Sequence, residues 1–188
     1  MRYINKEFAT WRGLVRTIIS DIKWRTGVYK KYEQVDWSRV KRLVYICQGN
    51  ICRSPFAKVI AASRSPHLPV ASFGLATTTG VEADPTAIGA AQDYGIDLIE
   101  HRATNMADFS IAEGDLLVVM EDRHLHWLAP LVVNQDVQLC LLGLWCRPQF
   151  ALLYDPFSHP KDYFLSCFSR IVRAVDSMLD EIDAYYST

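Results

Sequence analysis

The sequence predicts an α/β fold in which a parallel sheet is covered by helices on both faces. Short apolar runs alternate along the chain with segments of helical periodicity, and this alternation is typical of βαβ crossovers. Half of the 188 residues are apolar, which suffices for one domain with a sizeable core. Because ligands of open α/β sheets bind beyond the carboxyl ends of the strands, we expect the functional site there.

The individual elements follow from the positions of the apolar residues. Four strands are predicted where apolar runs are short and continuous, at about 42–47, 69–73, 115–120 and 137–142. Four helices are predicted where apolar residues recur every three or four positions, at about 54–64, 84–94, 122–132 and 160–183. The second of these helices has a cap and a first-turn proline in Asp84-Pro85, and Gly95 is a suitable end.

Residues 1–41 precede the predicted sheet as a basic extension, and residues 42–188 form the main domain. Residues 1–42 carry a net charge of +7, whereas the rest of the chain carries −8. Spacings of three and four predict an amphipathic helix in the extension, with the apolar residues Phe8, Trp11, Leu14, Val15, Ile18, Ile19 and Ile22. We favour a helix packed on the main domain with its positive charge facing the acidic remainder. Contact with a membrane surface or a partner protein is the alternative.

Composition and patterning argue against several other classes of protein. No apolar run reaches the roughly 18 residues that a membrane span needs, and the first residues lack the pattern of a signal peptide. Five cysteines without the spacing of a disulfide framework favour a reducing, cytoplasmic environment. The acidic main domain argues against nucleic-acid binding. No His, Asp or Glu cluster has the spacing of a metal site, so neither a metal nor another cofactor is expected.

The segment from Cys47 to Pro55 predicts a phosphate-binding loop after the first strand. Its sequence, Cys-Gln-Gly-Asn-Ile-Cys-Arg-Ser-Pro, lies between an apolar run and a segment of helical pattern. In such a strand–turn–helix unit the backbone amides and the helix dipole converge on an anion. The same field stabilises a thiolate on Cys47, which can then attack phosphorus, while the planar fork of Arg53 grips two phosphate oxygens. The predicted phosphate-binding residues are Gln48, Gly49, Asn50, Ile51, Cys52, Arg53 and Ser54.

The local context, rather than the Cys-x5-Arg spacing, identifies this loop. Cys167 and Arg173 have the same spacing, but their segment has no glycine and a helical pattern, so we expect Cys167 to be a buried apolar side chain. In the loop, Gly49 permits a positive φ and Asn50 tolerates the left-handed region. Ser54 is expected to cap the following helix, to donate its hydroxyl to the Cys47 sulfur, or to do both.

Residues 44–57 resemble the signature loop of the low-molecular-weight protein tyrosine phosphatases, an apolar strand followed by C-x-G-N-I-C-R-S-P-x-A. Further segments resemble that family in the same order along the chain. They are Ser72-Phe73-Gly74, Gly95-Ile96-Asp97, His101-Arg102-Ala103, Asp115 to Met120 and Asp155-Pro156-Phe157. The resemblance covers roughly residues 42–185. It implies a three-layer fold with a four-stranded parallel sheet in the strand order 2-1-3-4.

The resemblance also supports a role for each candidate site residue. Cys47 is expected to be the nucleophile that forms a cysteinyl-phosphate, and Asp155 the acid that protonates the leaving phenolate. Cys52 is either a redox partner that protects an oxidised Cys47 or a small residue packed under the loop. His101 resembles a histidine that supports the loop, and Phe157 resembles an aromatic residue of the cleft wall.

The predicted activity is the hydrolysis of phosphotyrosine in proteins. Bacterial members of the family commonly reverse tyrosine autokinases that control exopolysaccharide or capsule assembly, so the resemblance implies such a kinase as the partner. The family often has a second aromatic residue after Phe157, where this chain has Ser158, and this difference leaves the substrate specificity open.

Three alternative activities remain. A protein-arginine phosphatase of the same family would carry threonine at the position of Ile51. A related arsenate reductase would need two shuttling cysteines just after the third strand, where this chain reads Met120-Glu121-Asp122-Arg123. The third alternative is an inactive phosphotyrosine-binding protein.

Overall fold

The computed structural model describes residues 1–65, 67–133 and 135–187. A four-stranded parallel sheet has the strand order β2-β1-β3-β4, which confirms the topology that the resemblance implies. Its strands are β1 (Arg42–Cys47), β2 (Val70–Gly74), β3 (Asp115–Val119) and β4 (Gln138–Leu141). Each strand end lies within one residue of its predicted position.

Six α-helices accompany the sheet in the described part of the chain. They are α1 (Arg2–Phe8), α2 (Trp11–Arg25), α3 (Arg53–Arg64), α4 (Pro85–Gln92), α5 (Asp122–Leu128) and α6 (Lys161–Tyr186). Helices α3 and α4 both pack against α6, whereas α5 packs against β3 and β4. The predicted helix 122–132 is too long, because Pro130 cannot continue an α-helix and the chain turns instead into a short 3-10 helix, Ala129–Leu131.

The core forms around β1 and the aromatic residues that join α3 to α6. The side chains of β1 from Leu43 to Ile46 are fully buried. Phe56 of α3 stacks on Phe168 of α6 with ring centroids 3.8 Å apart. The neighbouring Cys167 is buried in this core, as predicted, and donates only a weak hydrogen bond to the Tyr154 carbonyl, 3.7 Å away.

The extension contains two helices, whereas the apolar pattern from Phe8 to Ile22 predicted a single amphipathic helix. The chain breaks at Ala9, whose φ is 64°, and the Thr10 hydroxyl then accepts from the Gly13 amide to cap α2. Arg16 and Lys23 of α2 contact acidic residues of the main domain, whereas most of the predicted apolar face points to solvent. No helix in the described ranges is both long enough and apolar enough to span a bilayer.

Candidate active site

The parallel sheet brings Cys47, Gly74 and the residues that follow β3 to one edge. Cys47 is the last residue of β1 and pairs with Gly74 of β2, while the preceding Ile46 pairs with Val119 of β3. The chain then turns through residues 48–52 and enters α3 at Arg53. A buried sulfur therefore lies at the carboxyl edge of the sheet, where the site was expected.

Asn50 organises the loop around the sulfur. Its φ of 52° confirms the predicted left-handed conformation, and its backbone amide donates to the Cys47 sulfur over 3.2 Å. The buried side chain donates to the hydroxyls of Ser54 (2.8 Å) and Ser72 (3.0 Å) and accepts from the Thr104 amide (2.9 Å). Every polar atom of this side chain thus has a partner, and the loop is fixed before any substrate binds.

His101 supports the same loop from outside. Its Nε2 lies 2.7 Å from the carbonyl oxygen of Asn50, and because a carbonyl can only accept, Nε2 must carry the proton. Burial lowers the pKa of His101 from its usual value, which favours the neutral ring with its proton on Nε2. This contact agrees with the supporting position that the resemblance implied for His101.

Ser54 faces the sulfur and does not cap the helix. It is the second residue of α3, whose N-terminal cap is Cys52 without a side-chain hydrogen bond, so the predicted capping role is wrong. Its Oγ lies 3.0 Å from the Cys47 sulfur and accepts a hydrogen bond from the side-chain amide of Asn50. With Asn50 donating to Oγ, the Ser54 proton is free to point at the sulfur and stabilise a thiolate.

Two glycines meet at the loop, but neither uses a positive φ. The prediction for Gly49 is wrong, since the positive-φ glycines of the described chain lie elsewhere. Gly74 matters through close approach: a Cβ on it would lie 2.9 Å from both the Asn50 nitrogen and the Gly49 carbonyl carbon. The strand β2 can therefore press against the loop only because residue 74 lacks a side chain.

Several hydrogen-bond donors of the loop have no acceptor within the described part of the chain and could bind an anion. The amides of Gly49, Ile51 and Cys52 form no hydrogen bond with a described residue. The guanidinium of Arg53 is buried, and its Nε has no partner in the described part of the chain. These donors, together with the start of α3, can receive the oxygens of a phosphate.

The other nitrogens of Arg53 hold it in place. Nη1 donates to Glu121 Oε1 and to the Leu153 carbonyl, both over 2.8 Å, and Nη2 forms an ion pair with Asp155 Oδ2, 2.7 Å away. The edge formed by Nε and Nη2 therefore has one free donor and one that is paired with a carboxylate. An incoming phosphate that binds this edge in a bidentate manner must displace Asp155 from Nη2.

Glu121 is the functional residue that the sequence reasoning missed. It is fully buried directly after β3 and accepts from three arginines: Arg53, Arg16 of α2 and Arg123. Burial raises the pKa of this carboxyl, but the surrounding positive charges, Arg53 first, lower it overall to about 2. A carboxylate at the carboxyl end of the strand beside β1 was the available signal.

A neutral histidine completes this side of the site. Burial, and next to it the charge of Arg53, lower the pKa of His124 to about 3, so the ring adds no charge at neutral pH. The charged groups around Glu121 at neutral pH are therefore arginines, with the buried Glu121 carboxylate as their shared partner.

Asp155 lies across the cleft from the loop and is partly exposed. The Phe157 amide donates to its Oδ1 over 3.2 Å, while Oδ2 contacts Arg53. One carboxylate oxygen is thus tethered to its own turn, and the other lies at the mouth of the loop beside the phosphate-binding edge. The structure brings the predicted acid and the predicted nucleophile into one cleft.

That cleft has a volume of about 250 Å³. Its walls include the predicted Cys47, Asp155 and Phe157, together with Thr77 from the loop after β2. The complete lining is Cys47, Gln48, Gly49, Ile51, Cys52, Arg53, Ala76, Thr77, Val81, Asp155 and Phe157. Ala76 and Val81 were not predicted, because nothing in their local sequence distinguishes them from other loop residues. A larger cleft of about 520 Å³ between α1 and α6 contains no cysteine.

Cys52, the last residue of the loop before α3, is a buried thiol at the wall of the cleft. All five cysteines are free, and burial raises the pKa of Cys52 well above its usual value. The resulting thiol is a poor nucleophile as long as the loop keeps this conformation. The described residues also contain no group of three or more His, Cys, Asp or Glu side chains that could hold a metal ion.

Comparisons with known proteins agree with this geometry. The model of the family "Low molecular weight phosphotyrosine protein phosphatase" matches residues 42–187. The chain is 29% identical to the low molecular weight protein-tyrosine-phosphatase Wzb of Escherichia coli K12, over 76% of this chain and 95% of the relative. It is 37% identical to the probable phosphatase EpsP of Ralstonia solanacearum, over 77% and 98% of the two chains.

Solved structures show the same fold. The tyrosine phosphatase AmsI of Erwinia amylovora superposes with a TM-score of 0.66 at 26% identity, over 76% of this chain and 93% of that one. The arginine phosphatase YwlE of Geobacillus stearothermophilus shares the fold at 20% identity, with a TM-score of 0.65 over 77% and 94% of the two chains. The chain belongs to the low molecular weight phosphotyrosine protein phosphatase family.

Proposed function

We propose that the protein is a protein-tyrosine-phosphatase that works through a cysteinyl-phosphate intermediate. The proposal rests on the groups that surround the Cys47 sulfur. The backbone amide of Asn50 and the hydroxyl of Ser54 both contact the sulfur, and Arg53 and Asp155 line the same cleft. The site thus has a stabilised sulfur nucleophile, donors for the phosphate and an acid for the leaving group.

In the first step the Cys47 thiolate attacks phosphorus as the bond to the phenolic oxygen breaks. The loop amides and the Nε–Nη2 edge of Arg53 bind the phosphoryl oxygens, so Asp155 Oδ2 leaves Arg53. Released from Arg53, the Asp155 carboxylate takes up a proton from solvent and gives it to the departing phenolic oxygen, which takes the electron pair of the broken bond. The Phe157 amide keeps the other Asp155 oxygen in place during this exchange.

In the second step water attacks the cysteinyl-phosphate. The Asp155 carboxylate takes a proton from that water, the sulfur–phosphorus bond breaks, and its electron pair returns to the sulfur. The Ser54 hydroxyl donates to the sulfur that leaves and so stabilises the regenerated thiolate. The products are inorganic phosphate and the enzyme in its starting state.

The shape of the cleft supports an aromatic phosphoester as the substrate. Ile51, Val81 and Phe157 give it apolar walls around the loop. A flat phenol ring can lie between such walls, whereas a phosphorylated guanidinium would bring a charged and strongly hydrogen-bonding group to them. We therefore favour phosphotyrosine over phosphoarginine.

The structure gives a separate argument against each of the two remaining alternatives, arsenate reduction and phosphotyrosine binding without hydrolysis. Arsenate reduction requires accessible shuttling cysteines, but Cys140 and Cys146 are fully buried, and burial raises the pKa of both thiols. A protein that only binds phosphotyrosine would have no use for an acid beside the leaving oxygen. Asp155 at the mouth of the loop therefore favours hydrolysis over binding alone.

The physiological substrate that we propose is a tyrosine-phosphorylated protein of the cytoplasm. The family resemblance points to a bacterial tyrosine autokinase of exopolysaccharide or capsule assembly. Five free, buried cysteines are compatible with a reducing compartment. Purified candidate kinase with phosphorylated tyrosines would serve as the substrate, and failure to release its phosphate would remove the kinase from the proposal.

The catalytic proposal is tested by the hydrolysis of p-nitrophenyl phosphate and a phosphotyrosine peptide in the presence of EDTA. We expect turnover by the wild type, none by Cys47→Ser, and a rate lower by roughly 10²–10⁴-fold for Asp155→Asn. Cys167→Ala and Asp93→Asn are the matched controls and should keep the activity, since neither residue lines the cleft. An inert wild type, or faster release of phosphate from a phosphoarginine protein, would overturn the proposal.

A further inference from the structure

The helix α2 presents most of its large apolar residues to solvent, although Leu14 and Trp24 are partly buried, and several of its polar residues contact the protein. Five large apolar side chains, spaced by three and four, form one outward stripe and are each between 47% and 63% exposed. They are Trp11, Val15, Ile18, Ile19 and Ile22, and we call them the α2 stripe. The buried residues of α2 are instead Gly13 and Ser20. This orientation is the reverse of an ordinary surface helix.

Polar contacts on the opposite face fix this orientation. Arg16 binds Glu121 over 2.9 Å, and Lys23 binds Asp122 over 2.6 Å, one contact near each end of α2. Ser20 lies between them and shares a hydrogen bond with the Tyr29 hydroxyl. The stripe is therefore held outward by specific ion pairs, and rotating it inward would break them and leave Glu121 with one partner fewer.

Basic residues flank the stripe. On the helix, Arg12 lies beside one edge of the stripe, and Arg25, which pairs with Asp21 over 2.7 Å, lies beside the other. Arg12, Lys30 and Lys31 form no ion pair with a described residue. The extension as a whole carries an excess of positive charge, whereas the rest of the chain is acidic.

We propose that the α2 stripe binds the surface of an anionic lipid bilayer. An outward apolar stripe with basic borders is the arrangement by which helices lie in a membrane interface. The opposite charges of the two parts of the chain would orient the protein, with the basic extension drawn to the lipid and the acidic domain repelled from it. The helix packs on the main domain through its positive charges, in agreement with the favoured expectation, but its exposed apolar face leaves room for contact with a membrane surface as well.

Charge favours lipid over a second copy of the chain. A twofold contact would place the same surface of both protomers together, so the positively charged extension of one protomer would meet that of the other. Large apolar side chains are also exposed in the neighbouring segments, at Tyr3 of α1 and at Val28 after α2. Apolar exposure that continues along the extension suits a broad lipid surface.

The test measures sedimentation of the full chain with vesicles of phosphatidylcholine alone or mixed with phosphatidylglycerol. We expect binding to the mixed vesicles only, and a loss of about tenfold or more in Ile18→Glu and Ile22→Glu. Ile99→Glu is the matched control, because Ile99 lies outside the extension and is 50% exposed, against 51% for Ile18. Circular dichroism and p-nitrophenyl phosphate turnover verify that the variants are folded.

A fluorescence measurement makes the test specific to the stripe. The emission of Trp11 should shift to shorter wavelength on mixed vesicles, and the shift should be lost in Trp11→Phe. Absence of wild-type binding, equal binding by the stripe variants, or binding to both vesicle types alike would overturn the proposal. Equally, a dimer in sedimentation equilibrium that Ile18→Glu dissociates, without lipid binding, would assign the stripe to self-association and overturn it.

Discussion

Replacing Glu121 by glutamine tests whether a buried carboxylate holds Arg53, the arginine that we propose binds the phosphate. The change keeps the shape of the side chain and its ability to accept from Arg53, but removes the charge that three arginines share. We expect both lower stability and lower kcat/KM, because Arg53 then keeps only Asp155 as a charged partner. Breaking a buried ion pair from one side typically costs about 3–5 kcal/mol.

The pKa of Glu121 gives a second estimate of this cost. It falls from 4.5 to about 2 in the folded protein, which corresponds to about 3 kcal/mol at 1.4 kcal/mol per unit. Because the folded-state pKa is the lower one, this stabilisation is complete above pH 4.5 and is lost as the pH falls toward 2. For a chain of this length, the melting temperature should fall by roughly 6–12 °C at pH 7.

Thermal unfolding of the wild type and Glu121→Gln between pH 7 and pH 3 measures this effect. The gap between their melting temperatures should shrink as the pH falls, since only the wild type can lose the charge. Glu113→Gln is the control, because Glu113 pairs with Lys41 at the surface, where solvent screens the pair and its contribution to stability is small. A gap that stays constant across this pH range would refute the electrostatic explanation.

Two further predictions concern the loop. Gly74→Ala places a Cβ 2.9 Å from the Asn50 nitrogen, so kcat/KM should fall by roughly 10–100-fold as the loop shifts. In the control variant Gly89→Ala, the new Cβ meets nothing within 4 Å. Equal rates in the two variants would contradict this explanation. Ser54→Ala removes the hydrogen bond to the leaving sulfur, so the second step should slow by roughly 10–100-fold. Stopped-flow mixing with p-nitrophenyl phosphate should then show a burst of nitrophenol. A slow reaction without a burst would place the loss in the first step.

The fold and the loop could be predicted because their determinants are local. The loop needs a strand end, a turn and a helix start within about eleven consecutive positions, and each of the three is indicated by typical residues in the sequence. Asn50 was predicted to be left-handed because few other residues tolerate that conformation. The same local reasoning failed for Ser54, where capping and contact with the sulfur are equally compatible with the sequence, and only the exact start of α3 decides.

The carboxylate that holds Arg53 could not be predicted in this way. Glu121 lies 68 residues after Arg53 and, read locally, is an ordinary acidic residue before a helix. Likewise, the periodicity of α2 predicts that an apolar face exists but not the direction in which it points. That direction depends on Glu121 and Asp122, which are about a hundred residues away in the chain.

The attachment of α2 through ion pairs makes the extension sensitive to ionic strength. Mobile ions weaken partly exposed pairs such as Lys23 with Asp122 far more than they weaken a buried apolar core. Added salt should therefore loosen α2 from the domain well before the sheet unfolds, and its amides should exchange with solvent first. Because Arg16 of α2 also pairs with Glu121, loosening α2 would remove one partner of the carboxylate that holds Arg53. Arg53 is thus coupled to the ionic surroundings of the protein through a helix that lies outside the residues matched by the family.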